Sequence, residues 1–521
     1  MGTIAQKLQA VVDSKKDIAD AITEKGGTVP TEFADYGDAI RALPSGDQEP
    51  ADVEFIDYDG RVLYKYTFAE ANALTELPTY SNRPGHGTGY TMVNEGWNYT
   101  LAEIKSNAQA GIKTTVGCTY TTSDGATRIH VHIEGSTADD RKFGFTMAQK
   151  TSAKVHISWG DPDDTSDDQT PGTTGHLMRY HTYSTTGDFT ITLSPVVSGE
   201  KMLRFQKNIC DHNIKYCEKI TGVEFGLLDQ FYGTTGRGGP LAFCDNVEYF
   251  SIPSTITDSE KAGTSACMNM KSLKALVLPR FGSSYLIKAY FFKNCASLEK
   301  VSIPPSVYQI GTNTDTSSNG SAFINCAGLK YLAIPDSVQD IGKNTFDGCG
   351  SLRRVYWKGT AGIHAYSFNR CALLEEINLH DDFGNARSVG GSDFSGCASL
   401  KRLICSTPIE ATGDACFQNC VSLESIPELS VVSTNMFNGC VSLRRVKVTT
   451  TSAIGSSAFR YSGLIELDMS GCTSSIPSLG GSALDSVPDD LVIIVPNGQL
   501  STWQQATGWS SFASKMVEAT T

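Results

Sequence analysis

The chain has 521 residues, 19% of them charged, and a formal net charge of −13 with a pI near 5.2. That balance argues against general nucleic-acid binding, because a phosphate backbone needs clustered Lys and Arg to displace its counterions. No apolar run reaches the roughly 18–20 residues that span a bilayer, so membrane insertion is not expected.

Residues 1–46 read as a helical stub. Ile4, Leu8, Val11, Ile18 and Ile22 share one helical face, broken by Lys15, and Gly26-Gly27 ends the segment. A second short helix, "TEFADYGDAIRAL", starts at a Thr31 N-cap, and "PSGDQEP" follows as a linker. Periodicity leaves two uses open: packing of the two helices as a hairpin, or a docking and oligomerising stub. The start has no continuous apolar h-region and no small-residue cleavage site, so it does not read as a secretory signal; the expectation is a chain made in a cytosol.

Residues 50–114 read as a small α+β module. "VEFIDYDGRVLYKYT" gives two alternating strands around an Asp59-Gly60 turn, and helices start at "TFAEANAL" and within "EGWNYTLAEIKSN". Residues 115–206 are strand-rich and read as a β-sandwich. Trp159, Gly160, Asp161, His181, Tyr183, Gly187 and Phe189 stand in an order that resembles the polycystic-kidney-disease (PKD) type of sandwich, which implies a spacer or carbohydrate-side accessory with no catalytic part.

From about residue 207 the chain repeats itself. Phe346, Cys349, Leu352, Val355 and Trp357 recur as Phe292/Cys295/Leu298/Val301/Ile303, Phe368/Cys371/Leu374/Ile377/Leu379 and Phe437/Cys440/Leu443/Val446/Val448, among eleven recognisable units. From Phe292 the first positions fall 31, 23, 22, 26, 23, 20 and 22 residues apart, a period of stacked coils centred where leucine-rich repeats lie. In each coil Leu-x-x-Leu-x-Ile predicts a short strand, and the spacing of three through Phe, Cys and Leu predicts a helical or 3₁₀ turn. The chain carries fifteen cysteines, an odd number in a chain expected to be cytosolic, so most are expected as buried free thiols filling cramped interior sites. A terminal strand, a turn and an amphipathic helix with Trp503 and Trp509 are expected to cap the stack.

The fold class expected is thus an α+β multidomain chain: N-terminal helical stub 1–46, small α+β module 50–114, β-sandwich 115–206 and C-terminal leucine-rich-repeat solenoid 207–521. "LKYLAIPDSVQDIGKNTFDGCGSL", residues 329–352, resembles the bacterial surface-antigen (BspA-like) class of leucine-rich repeats, over about residues 210–495. Inserts at 312–321 and 379–393 lengthen loops on one side of the stack, and such loops often belong to a binding face.

Few residues offer chemistry. His130 and His132 point to one side of a strand but lack an identifiable third metal ligand, and the pair is expected to be solvated or core-lining. "DPDDTSDD", 161–168, concentrates oxygen ligands without an EF-hand pattern and is read as a solvated acidic turn, with calcium as the alternative. "GTSAC" and "GSSAF" lack the second glycine of a nucleophile elbow, and "GTTGRGGP" lacks the Lys-Ser/Thr of a P-loop. No cofactor, metal or catalytic residue is expected. A binding surface is expected on the outward strand positions Glu224, Ser251, Val277, Ser302, Ala333, Tyr356, Asn378, Ile404, Lys447 and Asp468. Beside them runs a basic stripe. Arg353, Arg354, Lys401, Arg402, Arg444, Arg445 and Lys447 are the receptor-binding candidates for an anionic surface polymer, with Tyr356 as a ring for sugar stacking; the alternative is an ordinary charged solenoid face interleaved with Glu375, Glu376, Glu424 and Glu466.

The order of stub, module and array resembles tail-fibre or receptor-binding proteins of bacteriophages that infect gut bacteria. The resemblance implies a non-enzymatic virion protein, assembled in the host cytoplasm. Its N-terminal region would dock on phage tail or baseplate proteins, its array would bind a host surface glycan or protein, and it would be a homotrimer. The alternatives are a bacterial surface adhesin, a polysaccharide depolymerase and a purely structural tail component.

Overall fold

The computed structural model describes residues 50–520 except 150–154, 163–166, 170–176, 197–202, 206–207, 212, 232–238, 255–265, 281–284, 312–320, 358–361, 379–386, 405–408 and 412. The expected helical stub therefore lies outside the described residues, as do most of the 312–321 insert and the centre of the acidic loop. The chain divides into two units, Met1–Pro50 and Ala51–Thr521, and every element named below belongs to the second.

Its first part forms around a hairpin. β1 (Val53–Ile56) and β2 (Val62–Tyr66) pair antiparallel across Gly60, whose φ of +87° suits the turn. Thr67 caps α1 (Phe68–Ala73) and Thr100 caps α2 (Leu101–Gln109), each in a reciprocal capping box with the Glu three residues on. With β3 (Arg83–Pro84), β4 (Thr91–Trp97) and β5 (Thr114–Thr122) the strands form one sheet in the order β2-β1-β5-β4-β3.

The strands after residue 126 do not close on themselves. Thr127–Ile133 pairs antiparallel with Gly187–Pro195 on one side and with Ile220–Glu224, a strand of the repeat array, on the other. Ile220–Glu224 then pairs parallel with Tyr249–Ser251. One buried core runs without a break from Ile129 to Met516. The sandwich region thus covers the first hydrophobic coil of the array, which a solenoid must cover or expose to water.

Downstream the coils stack in parallel register, for example Tyr331↔Arg354, Leu332↔Val355 and Ala333↔Tyr356. Phe292, Phe323, Phe346, Phe368, Phe394, Phe417, Phe437 and Phe459 form a continuous pile with ring centroids 5.2–5.7 Å apart. The cysteine three residues on is explained by what its sulfur touches. Each thiol donates to the backbone carbonyl of the phenylalanine one coil earlier, at 3.0–3.3 Å from Cys326 to Cys440. Cysteine fills a small apolar site and also satisfies a buried acceptor, which alanine would not. The fourteen cysteines among the described residues are all buried and free, and burial pushes the thiols of Cys326, Cys349 and Cys371 up.

Two expectations are corrected. The described residues are mostly β, with few of them helical and a solenoid of about 10 turns, which overturns the α+β multidomain class. The physical reason lies in the Phe-Cys-Leu segment, which is a succession of turns and not a helix. The residue two before the phenylalanine is left-handed at Asn344, Tyr366, Ser392 and Asn435, and the residue two after it at Asn325, Gly348, Arg370, Gly396 and Gly439. A left-handed residue every few positions breaks a right-handed helix before it can start, and the frequent Asn and Gly there are the residues that tolerate it. The C-terminal cap also differs. After Val492–Val495 come a short helix, Leu500–Gln505, a 3₁₀ segment, Ser510–Lys515, and a last parallel strand, Met516–Glu518, with Trp503 and Trp509 fully buried. Among the described residues no helix is long and apolar enough to cross a membrane.

Candidate binding face of the repeat array

The outward strand positions divide into a covered and an open stretch. Glu224, Ser251, Val277 and Ser302 were expected to face a partner, yet all four are buried, and what buries them is the chain's own module. β5 lies against the strands Tyr249–Ser251, Ala275–Val277 and Lys300–Ser302. Close approach needs Gly117, where a Cβ would stand 2.4 Å from a Val277 methyl, and Gly60, where it would stand 2.5 Å from the Ala275 Cβ. Asn98 donates to Leu278 O at 2.8 Å and to Ser302 Oγ at 2.9 Å. Ser302 Oγ donates to Thr115 O at 2.7 Å, and Tyr99 Oη donates to Ile303 O at 2.6 Å. Arg280 grips Glu103 through both nitrogens, at 2.7 and 2.8 Å.

Glu224 anchors the other end of this interface. Its carboxylate, fully buried, accepts from Tyr58 Oη at 2.5 Å and from Tyr90 Oη, and lies 2.9 Å from His86 Nδ1 and 3.1 Å from His130 Nε2. Tyr249 stacks on His86 at 3.6 Å. Burial alone would raise the Glu224 pKa, but the hydrogen bonds from His130, His86, Tyr58 and Tyr90 outweigh it and hold the carboxyl well below the usual range. Three parts of the chain thus meet on one carboxylate. His130 is taken up here, whereas His132 is half exposed and pairs with Asp188 at 2.6 Å, so the two histidines do not converge on a ligand. Among the described residues no group of three or more His, Cys, Asp and Glu is placed to hold a metal ion.

Past Tyr331 the strand face opens. Its predicted basic residues are present on it, but most have a carboxylate beside them. Arg353 lies 3.1 Å from Glu375, and Arg354 lies 3.6 Å from Glu375 and 3.8 Å from Glu376. Arg402 lies 2.9 Å from Glu376, Arg445 3.5 Å from Glu466, and Lys447 2.5 Å from Glu428. The parallel register makes these pairs, since Glu376 stands between Arg354 and Arg402. Arg444 instead donates to Gly463 O at 3.2 Å, and Lys401 is exposed on the neighbouring turn. Tyr356 is partly covered: it stacks on Tyr331 at 6.5 Å, and Lys113 of the module lies 5.5 Å from its ring. The face is therefore a ladder of alternating charge, on which Arg402, Ile404, Arg445 and Lys447 are the exposed residues.

Sequence reasoning missed Asn98, Tyr99, Gly117 and Glu224 as a docking set. The available signal was the run of small or neutral outward residues, Ser251, Val277 and Ser302, where later coils carry Tyr356, Lys447 and Asp468.

The BspA type leucine rich repeat family model matches this chain in six copies, over residues 238–320, 316–434 and 361–480. BspA-type leucine-rich repeats are present. No curated protein matches the chain. Among solved structures, a leucine-rich repeat protein from Bacteroides ovatus is 23% identical over 51% of this chain and 66% of its own, with a TM-score of 0.38. This chain thus spans just under two thirds of that protein. The leucine-rich repeat protein of T. pallidum is 23% identical over 36% of this chain and 74% of its own, with a TM-score of 0.26. A leucine rich cell surface protein from Faecalibacterium prausnitzii is 21% identical over 55% and 92%, with a TM-score of 0.26. The BspA-type repeats coincide with the piled phenylalanines and the thiol ladder, and with the whole of the open face.

Proposed function

We propose that the chain is a non-enzymatic adhesion protein of a bacterial cell surface, which grips a macromolecular partner along the open strand face 331–468. One observation carries this reading: the chain already uses the first stretch of that face to hold its own module, while the continuation past Tyr356 presents the exposed Arg402, Ile404, Arg445 and Lys447. A solenoid face bearing unobstructed side chains on a rigid stack is suited to reading an extended partner. The BspA-type repeats support a bacterial surface protein over a phage tail fibre, because they bear on the array itself, whereas tail docking rests on residues 1–46, outside the described region. Within the sandwich, His181 stacks on Trp159 at 5.1 Å and lies 2.8 Å from Asp161, and Tyr183 donates to Trp159 O, which supports a PKD-like spacer.

Two experiments test the reading. Antibody raised against the chain should label intact cells of the bacterium that encodes it, and the label should disappear after proteolytic shaving. Label confined to virions in a lysate would overturn the surface assignment and restore the tail fibre. In the full-length chain, Arg402→Glu with Ile404→Asp should lower adhesion to host cells and matrix at least about tenfold, the size of a central interface lesion. Unchanged adhesion would remove the open face from the account.

A further inference from the structure

The column of residues just before the piled phenylalanines runs through the interior of the array and is mostly small and uncharged: Ala322, Thr345, Ser367, then Cys416, Met436 and Ala458. Asp393 interrupts it. Its side chain is fully buried, accepts from Gly390 N at 2.6 Å and from Ser367 N at 3.3 Å, and makes no ion pair among the described residues. Among the described residues the groups packed around it supply no cation. In the preceding coil the Ser367 hydroxyl is turned away to Gly342 O, and the His364 ring is committed to Asp340 at 2.7 Å. In its own coil the Cys397 thiol, which feels the Asp393 charge, is committed to Phe368 O at 3.2 Å. In the following coil the Cys416 thiol points to Gly390 O and Gly413 O, and the Asp414 carboxylate accepts from Thr434 N. A carboxylate in such a place has only backbone amides as donors and, among the described residues, no countercharge, and the solvation it loses is not repaid.

We infer that Asp393 is built into the array as a neutral, proton-carrying acid, so that the coil presenting Arg402 and Ile404 is tightest in mild acid and slackens as the pH climbs to neutrality. Burial raises the Asp393 carboxyl to about 7, against which the backbone amides of Ser367, Gly390 and Tyr366 act only in part. With a raised folded value, the stabilisation is fully present below the ordinary Asp range. It is lost as the pH rises through the folded value, the proton leaving to solvent, and it changes no further above it. The pH sensitivity of the coil stands on its own; any effect on adhesion rests on the function proposed above.

Hydrogen exchange of the full-length chain between pH 4.5 and 8, corrected for intrinsic rates, tests it. Protection of 390–397, relative to the corresponding segment 413–420 one coil later, should fall by up to about tenfold per pH unit to pH 7 and then level off. Asp393→Asn, and Asp393→Ser, which copies Ser367 of the preceding coil, should abolish the decline. Parallel profiles for the two segments in the wild-type chain would overturn the inference even if neither variant folded, and so would a decline that persists in both variants. If the coil responds while adhesion does not, the link between this coil and the open face fails and the inference stands.

Discussion

Gly117→Val tests whether the module is seated on the array as described. The added Cβ alone would lie 2.4 and 2.8 Å from the Val277 methyls and 3.0 Å from the Ser302 Cβ, with β5 behind it tied into the module sheet between β1 and β4. Overpacking of this kind costs about 1–3 kcal/mol. Relief by lifting the module sacrifices some of the four hydrogen bonds that Asn98, Tyr99 and Ser302 make across the interface, each worth about 1 kcal/mol. The combined cost is about 2–5 kcal/mol, which corresponds to a rise in amide exchange of about 30-fold or more across 275–303. Gly350→Ala is the control, since a Cβ there meets nothing within 4 Å. Exchange across 275–303 that matches the control would refute the docked module, and with it the division of the strand face into covered and open parts.

Other consequences are open to measurement. Glu224→Ala strands four side-chain donors in a buried site and should loosen the same interface by about 3–5 kcal/mol, read as faster proteolysis between module and array. Because the folded Glu224 carboxyl lies well below its usual range, its contribution is present above that range and lost only as the pH falls toward the folded value. Docking should therefore persist at about pH 4, and Glu224→Gln should remove the acid limb of its pH profile. Phe368→Ala, in the middle of the ring pile, should cost about 3–5 kcal/mol by denaturant titration, whereas the same change at exposed Leu373 should cost under about 1. Raising salt should weaken adhesion only slightly, since the Arg and Lys of the open face are mostly neutralised by Glu375, Glu376, Glu428 and Glu466; steep loss between about 0.05 and 0.5 M salt would instead mean a free basic stripe.

The array was legible in the sequence because every coil meets the same constraints at the same spacing. Phe, Cys and Leu must enter one core, and their intervals survive changes of loop length. What could not be read was the conformation between them, since Phe346, Cys349 and Leu352 are spaced as a helix would space them; only the left-handed Asn344 and Gly348 decide for turns. Nor could the periodic pattern reveal the covered face. Asn98 and Tyr99 meet partners some 180–204 residues away, and no local pattern encodes a contact of that range. For the basic stripe the sequence left two readings, a free cationic surface or a charged face interleaved with Glu375 and Glu376, because these become cross-strand neighbours of Arg354 and Arg402 only once the register is known. Asp393 was hidden by its type, as an aspartate beside Gly390-Gly391-Ser392 looks like an exposed turn.

Counting reactive thiols gives the most direct measurement of the central claim, that the latter half is one continuous stack with its sulfurs reduced and enclosed. Without reductant, the denatured chain should titrate all fifteen cysteines, while the native chain should leave at least the fourteen described ones unreactive over hours. Fewer than fifteen thiols in denaturant, or rapid native labelling at Cys326, Cys349, Cys371 or Cys397, would contradict it.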